Sequence, residues 1–246
     1  MADLAIIGGT GLTTLEGLAI TGREVVNTPY GEASGPVIHG ELDGREVLFL
    51  PRHGPGHTIP PHRINYRANL WALNAVGAEK VIAVNAVGGI AEPMWPGRLA
   101  IPDQIIDYTR GRVNTFFDQG NGEVVHIDFT EPYCGELREV MVRAGEAAGL
   151  DMAGEGTYAA TQGPRLESRA EVSALERDGC HLVGMTGMPE AALARELELC
   201  YASCCVVANR AAGKGNSVIT MEEIRHYLHA GMEDVRRLLG QVAGFL

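Results

Sequence analysis

The sequence predicts an α/β fold in a single domain that spans residues 1–246. Three observations support this prediction. Short apolar runs typical of buried strands alternate with longer amphipathic segments typical of helices, which is the pattern of an α/β protein. Hydrophobic residues make up 46% of the 246 residues, so the chain can bury a large core. No linker, repeat or low-complexity tract divides the chain, which favours one domain over two.

Four apolar runs predict the strands, and glycine-rich turns follow most of them. The runs are LAIIG (4–8), REVLFLPRHG (45–54), KVIAVNAVGG (80–89) and CCVVANR (204–210). Ligands of α/β proteins gather at the carboxyl ends of strands. We therefore expect the turns after these runs to form the walls of one site.

Four other segments predict the helices. They span residues 64–77, 168–179, 188–204 and 220–246. Gly77 closes the first helix, since glycine is the residue that most often ends a helix. Ser168 with Glu171, and Thr220 with Glu223, form capping boxes at the starts of the second and last helices. The third has a proline just inside its start, as helices often do.

Charge and composition exclude several classes of partner. The net charge of −11 argues against nucleic acid, whose binding needs clustered Lys and Arg. No window reaches the ~18 apolar residues of a membrane span, and the N-terminal MADLAIIGGTG lacks the features of a signal peptide, so we expect a cytoplasmic protein. The five cysteines lack metal-site spacing and predict reduced, buried thiols and no bound metal.

The turn after the first strand is a candidate phosphate site. The segment IIGGTGLTTLEG departs from the dinucleotide fingerprint G-x-G-x-x-G at Thr14, where glycine or alanine is needed for close helix packing. What remains is a glycine turn beside the hydroxyl of Thr10, which can cradle one phosphate. An ordinary tight turn explains the same residues, so both interpretations stay open at this point.

Three further strand or helix ends carry groups suited to an anion. Arg52 and His53 offer a guanidinium fork and a pH-dependent donor, although a solvated basic loop is the favoured interpretation of these residues taken alone. Backbone N–H groups around Asn85 and Ala86 can face a ligand where the third run ends. Thr186 places a hydroxyl just before a helix start, where anions bind readily.

Sequence blocks in order along nearly the whole chain carry a family resemblance. They are IIGGTGL, RHG, NYRANLWAL, NAVGG, HIDFTEPYC, GPRLESRAE and GMTGMPEAALARELELCYA. The chain resembles the methylthioadenosine phosphorylase branch of the trimeric purine nucleoside phosphorylases. The resemblance implies the purine nucleoside phosphorylase-like fold, with a central mixed β-sheet flanked by helices. It also implies a homotrimer that cleaves a purine nucleoside, with inorganic phosphate as co-substrate and no cofactor.

The resemblance also assigns roles to individual residues. Those implied to bind phosphate are Thr10, Arg52, His53, Asn85, Ala86 and Thr186. Met185, for which a core position is the ordinary alternative, is implied to lie against the ribose. Met221 and Ile224 are implied to cover the 5′ substituent of the sugar with an apolar wall. His126 is implied to reach the site from a neighbouring subunit.

The end of the last strand departs from the pattern of this branch. Methylthioadenosine phosphorylases carry Asp-x-Asp there, whereas this chain has Asn209 and Ala211. An amide can accept a hydrogen bond from N7–H of a departing 6-oxopurine and donate one to its O6. Glu167 stands where 6-oxopurine enzymes have glutamate, and its carboxylate can accept from N1–H. A charge solvated beside a helix start is the other interpretation of Glu167.

A 6-oxopurine base pocket and a methylthio sugar pocket together predict methylthioinosine as the substrate, with Asn209 and Glu167 as the catalytic pair. Three alternatives remain. Two are enzymes of the same family: an adenine-specific methylthioadenosine phosphorylase and a general inosine/guanosine phosphorylase. The third is a nucleotide-binding or regulatory module built on a Rossmann-like turn.

Overall fold

The computed structural model describes residues 2–118, 124–215 and 218–246. Within these residues, eleven strands form one sheet. The strands are β1 (Leu4–Gly8), β2 (Ala19–Glu24), β3 (Val37–Leu42), β4 (Arg45–Pro51), β5 (Lys80–Gly89), β6 (Leu99–Ala100), β7 (Gln104–Asp107), β8 (Met152–Ala153), β9 (Thr157–Ala160), β10 (Leu182–Gly184) and β11 (Cys200–Arg210). The helices are α1 (Tyr66–Ala75), α2 (Gly135–Ala147), α3 (Arg169–Arg177), α4 (Gly187–Glu196) and α5 (Met221–Phe245), with a short 3₁₀ turn at Pro61–Arg63.

The sheet is mixed and branches at its long central strand, β5. Along the main path the order is β2-β3-β4-β1-β5-β10-β9-β7, while β11 pairs with β5 and continues to β6 and β8. Strands β4, β1, β5 and β11 are parallel to their neighbours in this set, and β10 is antiparallel to β5. The predicted α/β class, with a central mixed sheet flanked by helices, is confirmed.

Side chains of the central strands alternate between two apolar layers, as the two-residue period of a strand requires. In β1, Ala5 and Ile7 lie in the layer that contains α1 and α4. Leu4 and Ile6 lie in the opposite layer, with α2 and α5. Because both faces of the strand are buried, its sequence is apolar throughout rather than alternating.

The capping signals place three predicted helices correctly. At α3 both bonds of the Ser168–Glu171 capping box are present. At α5 the Thr220 side chain accepts from the Glu223 N–H at 3.2 Å. At the end of α1, Gly77 adopts a left-handed conformation with φ of +96°, which glycine tolerates without strain.

The third predicted helix, over residues 188–204, is too long. Helix α4 ends at Glu196, and the chain reverses at Glu198, where φ is +56°. From Cys200 onward it is strand β11, paired with β5 over almost its whole length. Tertiary pairing with a central buried strand outweighs the helical pattern of these residues. Helix α2 and strands β2, β3 and β6 to β10 were not predicted.

The expectation that all cysteines are reduced is wrong for two of the five. Cys134 and Cys200 form a disulfide, which joins the start of α2 to the start of β11. They lie 66 residues apart in sequence, so their spacing carries no signal of the pairing. Cys180, Cys204 and Cys205 are free and buried, as predicted.

Two negative findings concern only residues 2–118, 124–215 and 218–246. None of the helices there combines the length and apolar character needed to cross a bilayer. No group of three or more His, Cys, Asp or Glu side chains there could hold a metal ion. The predicted absence of a metal and of a cofactor stays a prediction.

Candidate active site

A cavity of about 170 Å³ lies where the central strands end. Strands β4, β1, β5 and β11 run in the same direction, so their carboxyl ends meet at one edge of the sheet. Ten of the thirteen predicted site residues line the cavity: Thr10, Arg52, His53, Ala86, Glu167, Met185, Thr186, Asn209, Ala211 and Ile224. Asn85, Met221 and His126 do not.

Arg52 is the most deeply enclosed polar group of the site. Its side chain is completely buried and forms a two-pronged salt bridge with Glu190, at 2.7 Å from Nε and 2.8 Å from Nη2. Nη1 donates to the carbonyl oxygen of Val84 at 3.0 Å. Burial alone would lower the pKa of Arg52, but the Glu190 carboxylate outweighs it and the pKa is raised. Arg52 is therefore a permanent cation held at the cavity wall rather than part of a solvated loop.

The glycine turn after β1 gives this guanidinium its space. A Cβ added at Gly9 would lie 2.4 Å from the Val84 carbonyl oxygen and 2.9 Å from Nη1 of Arg52. Any side chain at this position would therefore displace the arginine. Thr10 follows immediately and lines the same cavity. The turn therefore lets its backbone lie close to Arg52 and also supplies a hydroxyl group.

His53 differs from the sequence prediction of a donor. Its Nδ1 lies 2.8 Å from the carbonyl oxygen of Ile59, which can only accept, so Nδ1 carries the ring hydrogen. Burial, together with the charge of Arg52, lowers the pKa of His53 to about 4. At neutral pH the free ring is therefore neutral, with Nε2 as an acceptor. It can accept from the P–OH of hydrogen phosphate, and it donates only where a bound anion raises its pKa.

Asn85 lies behind the cavity wall, inside β5 rather than in the predicted turn. Its amide NH₂ donates to Ser203 Oγ at 2.6 Å and to the Ala83 carbonyl at 3.2 Å. Its Oδ1 accepts from the Thr186 hydroxyl at 2.8 Å. The side chain of Asn85 has no N–H left to donate to phosphate, and it instead orients Thr186. The Thr186 hydroxyl hydrogen is thus engaged in the free protein, which the sequence did not indicate.

A β-bulge positions Asn209 at the wall. The pairing of β11 with β5 shifts between Val207 and Asn209, and such bulges re-aim the side chains that follow them. Asn209 Nδ2 donates to the carbonyl oxygen of Arg210 at 2.7 Å. This bond leaves Oδ1 and the second hydrogen of Nδ2 for a ligand. Ala211 lies on the same wall and is buried.

Glu167 is oriented by a neighbour that the sequence did not single out. The Thr161 hydroxyl donates to Glu167 Oε1 at 2.6 Å. The second oxygen, Oε2, is then the one available to a ligand. Glu167 lines the cavity, so it is not simply a solvated charge beside the start of α3.

The aliphatic side chains of the site come from α5 and the segment before it. Ile224 lines the cavity as predicted, together with Ile219 and Leu228. Met221 is a correction: it lies in the first turn of α5, is 59% exposed and does not line the cavity. Its side chain projects into solvent, although residues on both sides of it line the cavity. Ile219 and Leu228, which the sequence did not single out, line the cavity whereas Met221 does not.

His126 lies elsewhere on the same subunit. It is exposed and lines a large open groove with apolar and aromatic residues that include Trp71, Phe117 and Phe129. This groove shares no lining residue with the cavity. Within one chain His126 therefore does not reach the candidate site.

Arg112, which was not among the predicted site residues, links the walls of the cavity. Nη1 donates to the carbonyl oxygens of Met185 and Met188 at 2.8 and 2.6 Å. Nη2 donates to the carbonyl oxygens of Thr161 and Gln162 at 3.3 and 2.8 Å. One half-buried side chain thus ties the end of β10 and the start of α4 to the segment that leads to Glu167.

Comparison with known proteins identifies the family. The model of the phosphorylase superfamily matches residues 3–243. The chain belongs to the phosphorylase superfamily. This chain is 56% identical to a probable S-methyl-5′-thioinosine phosphorylase of Pseudomonas syringae pv. tomato, over 98% of both chains. It is 45% identical to the 6-oxopurine nucleoside phosphorylase of Pyrococcus furiosus, over 97% of this phosphorylase and 91% of that one.

Solved structures of the superfamily agree with the fold. Methylthioadenosine phosphorylase from Schistosoma mansoni in complex with adenine matches this phosphorylase with a TM-score of 0.95. The match covers 100% of this chain and 92% of that one at 30% identity. The predicted resemblance to the nucleoside phosphorylases and their fold is confirmed. The chain is thus a pentosyltransferase of the nucleoside phosphorylase type.

Proposed function

We propose that this phosphorylase cleaves S-methyl-5′-thioinosine with inorganic phosphate, giving hypoxanthine and 5-methylthioribose 1-phosphate. One observation carries the proposal: Asn209 and Glu167 line a single cavity that is also lined by three aliphatic side chains. Several relatives of 49–56% identity that bear the name of this activity support it. Phosphate is the co-substrate, and no metal or organic cofactor takes part.

The base pocket favours a 6-oxopurine by its hydrogen-bonding pattern. Oδ1 of Asn209 accepts from N7–H of the departing hypoxanthine, and the free hydrogen of Nδ2 donates to O6. Oε2 of Glu167 accepts from N1–H, because Thr161 holds the other oxygen. Adenine offers a bare N1 to the carboxylate and an amino group to the amide, which leaves buried polar groups unpaired.

The sugar pocket favours a methylthio group over a hydroxyl. Ile219, Ile224 and Leu228 supply only aliphatic surface to the cavity. A 5′-hydroxyl placed against this surface would lose its hydrogen bonds to water without replacement. A thiomethyl group has no such cost and gains by leaving water.

In the proposed reaction phosphate attacks C1′ while the bond from C1′ to N9 breaks. Positive charge develops on the sugar and negative charge on the departing purine, so the transition state is oxocarbenium-like. Arg52, Thr10 and the backbone at Ala86 hold phosphate on one face of the sugar. Asn209 stabilises the departing purine anion by donating from Nδ2 to O6, and its Oδ1 accepts from N7–H once water has supplied the proton to N7. Catalysis by positioning and charge stabilisation needs no covalent intermediate.

Two other phosphorylase activities remain as rivals. A methylthioadenosine phosphorylase is disfavoured because Asn209 and Ala211 provide no carboxyl group that could donate a proton to N7 of adenine. A general 6-oxopurine nucleoside phosphorylase, the name borne by relatives at 45% identity, shares the base pocket. The aliphatic side chains from α5 favour the methylthio sugar over that alternative.

We further propose a cytoplasmic homotrimer in which His126 serves the site of a neighbouring subunit. His126 is exposed beside a groove of aromatic and apolar side chains, a surface typical of protein–protein contact. Since the groove and the cavity share no residue of one chain, only an assembly could bring His126 to a site.

The decisive experiment is a cleavage panel with and without inorganic phosphate. The substrates are methylthioinosine, methylthioadenosine, inosine, guanosine and adenosine, and the readout is kcat/KM for release of the base. Methylthioinosine should lead, methylthioadenosine should trail by on the order of a thousandfold, and nothing should be cleaved without phosphate. Equal rates on the two methylthio nucleosides would refute the base assignment.

A further inference from the structure

The salt bridge behind the cavity links two distant parts of the chain. Arg52 follows β4, whereas Glu190 lies in the first turn of α4, and both side chains are fully buried. A buried ion pair is not in itself a strong source of stability, because removing two charges from water costs much of what their attraction returns. Such a pair beside a ligand cavity therefore calls for a role other than holding the fold together.

The hydrogen bonds of the guanidinium define what it can offer a ligand. An arginine has five N–H hydrogens. Two of them go to Glu190 and one to the Val84 carbonyl, which leaves two. Because the contacts to Glu190 and Val84 lie on different groups, they fix the plane of the guanidinium as well as its position. The two remaining N–H groups therefore have a set direction, in a side chain that belongs to the lining of the cavity.

A third side chain sets the carboxylate in its turn. The Tyr201 hydroxyl donates to Glu190 Oε1 at 2.9 Å, so this oxygen accepts two hydrogen bonds. Tyr201 is buried, and burial together with the carboxylate raises its pKa, so it remains a donor at neutral pH. The order of contacts is thus Tyr201 to Glu190 to Arg52 to the cavity.

We propose that Glu190, itself held by Tyr201, is a positioning residue for the phosphate co-substrate. Glu190 sets the two free N–H groups of Arg52 in the orientation that binds phosphate, and its charge keeps the buried arginine from closing onto other acceptors. This inference rests on the proposed phosphorolysis. Glu190 touches no substrate, so its removal should affect the phosphate step and leave nucleoside binding largely unchanged.

The test is Glu190→Gln, which keeps the size of the side chain. A glutamine cannot accept at both prongs, and its NH₂ group opposes one of the arginine N–H groups. We expect the apparent KM for phosphate to rise at least about tenfold, since hydrogen bonds between charged groups are the stronger ones. The KM for methylthioinosine should change less than about twofold. Glu198→Gln, an exposed glutamate just beyond the same helix, is the matched control and should leave both constants unchanged.

A second variant guards against misfolding of the first. Tyr201→Phe removes one hydroxyl and should raise the phosphate constant by a smaller factor, about two- to fivefold, with the nucleoside constant unchanged. Equal changes in both constants, or no change in the phosphate constant of either variant, would overturn the inference. A wild-type enzyme that cleaves nucleosides without phosphate would instead overturn the proposed function, so the two failures are distinguishable.

Discussion

Asn209 illustrates how one side chain can carry most of a substrate assignment. Its amide type was visible in the sequence, and so was the loss of a carboxylate at Ala211. Its direction was not, because a bulge between Val207 and Asn209 aims it at the cavity, and bulges have no reliable signal in a single sequence. The residue type was thus visible in the sequence at this position, while the direction of the side chain was not.

The base assignment predicts a switch of preference. The triple variant Asn209→Asp, Ala211→Asp, Glu167→Ser installs an acid and an acceptor for adenine and removes the acceptor for N1–H. We expect the ratio of kcat/KM for methylthioadenosine to that for methylthioinosine to rise at least about a hundredfold, since two mismatched hydrogen bonds are relieved. The measurement is base release from both nucleosides at saturating phosphate.

A control variant distinguishes a change in recognition of the base from general damage to the cavity wall. Ala211 is buried and packs in an apolar cluster with Ile90 and Val183, so a carboxylate there carries a desolvation cost. The single variant Ala211→Asp should therefore slow both substrates and leave their ratio nearly unchanged. An unaltered ratio in the triple variant as well would mean that Asn209 and Glu167 do not select the base.

Other residues of the site were beyond prediction for a similar reason. Glu190 lies in the first turn of a helix, where an acidic residue is ordinary because it offsets the helix dipole. Arg112 lies in a stretch without regular structure, and all but one of its hydrogen-bond partners are carbonyl groups, which every residue has. Residues that line the cavity were recognisable from the sequence, whereas the side chains that contact and orient them were not.

At the scale of elements, the strong capping signals predicted helix ends correctly. Where the local helical pattern was weaker, pairing with a distant strand decided the structure. The caps of α1, α3 and α5 agree with the structure because the signal and the bond that it makes lie within a few residues. Residues 200–204 look helical by local pattern but pair with β5, a strand more than 100 positions earlier. The local periodicity of a sequence carries no information about long-range pairing of this kind.

The disulfide between α2 and β11 predicts a measurable change in stability. Cys134 and Cys200 close a loop with a sequence separation of 66, and in the chain-entropy account a loop of this length is worth about 4 kcal/mol. The double variant Cys134→Ser, Cys200→Ser should therefore unfold about 10 °C below the wild-type protein. Thermal unfolding followed by circular dichroism measures it.

Reductant provides the control for this prediction. A thiol reductant should lower the Tm of the wild-type protein toward that of the double variant and should leave the variant unaffected. The variant Cys180→Ala, which removes a free cysteine, should respond to reductant as the wild-type protein does. A double variant with the Tm of the wild-type protein would show that the bond adds nothing to stability.

At the scale of the whole molecule, the cavity and the groove beside His126 are separate regions of one chain. The parallel strands bring the phosphate and purine groups to one edge, whereas His126 lies by a separate groove. Chain order alone could not indicate this, since His126 falls between the third and fourth predicted strands and their ends meet at the cavity. The proposed trimer would join groove and cavity across a subunit boundary.

Subunit mixing tests this arrangement. His126→Ala should impair every site of its own trimer, and Arg52→Lys should do the same, because lysine keeps a charge beside Glu190 but lacks the fork of donors. In randomly mixed trimers, a site works when its own subunit has Arg52 and the neighbour has His126. About one quarter of the sites should meet both conditions in a closed threefold assembly. We therefore expect phosphate-dependent activity near a quarter of the wild-type value after joint unfolding and reassembly, measured against each variant reassembled alone. Activity no greater than the mean of the two variants, or full activity in a species that sediments as a monomer, would contradict a shared site.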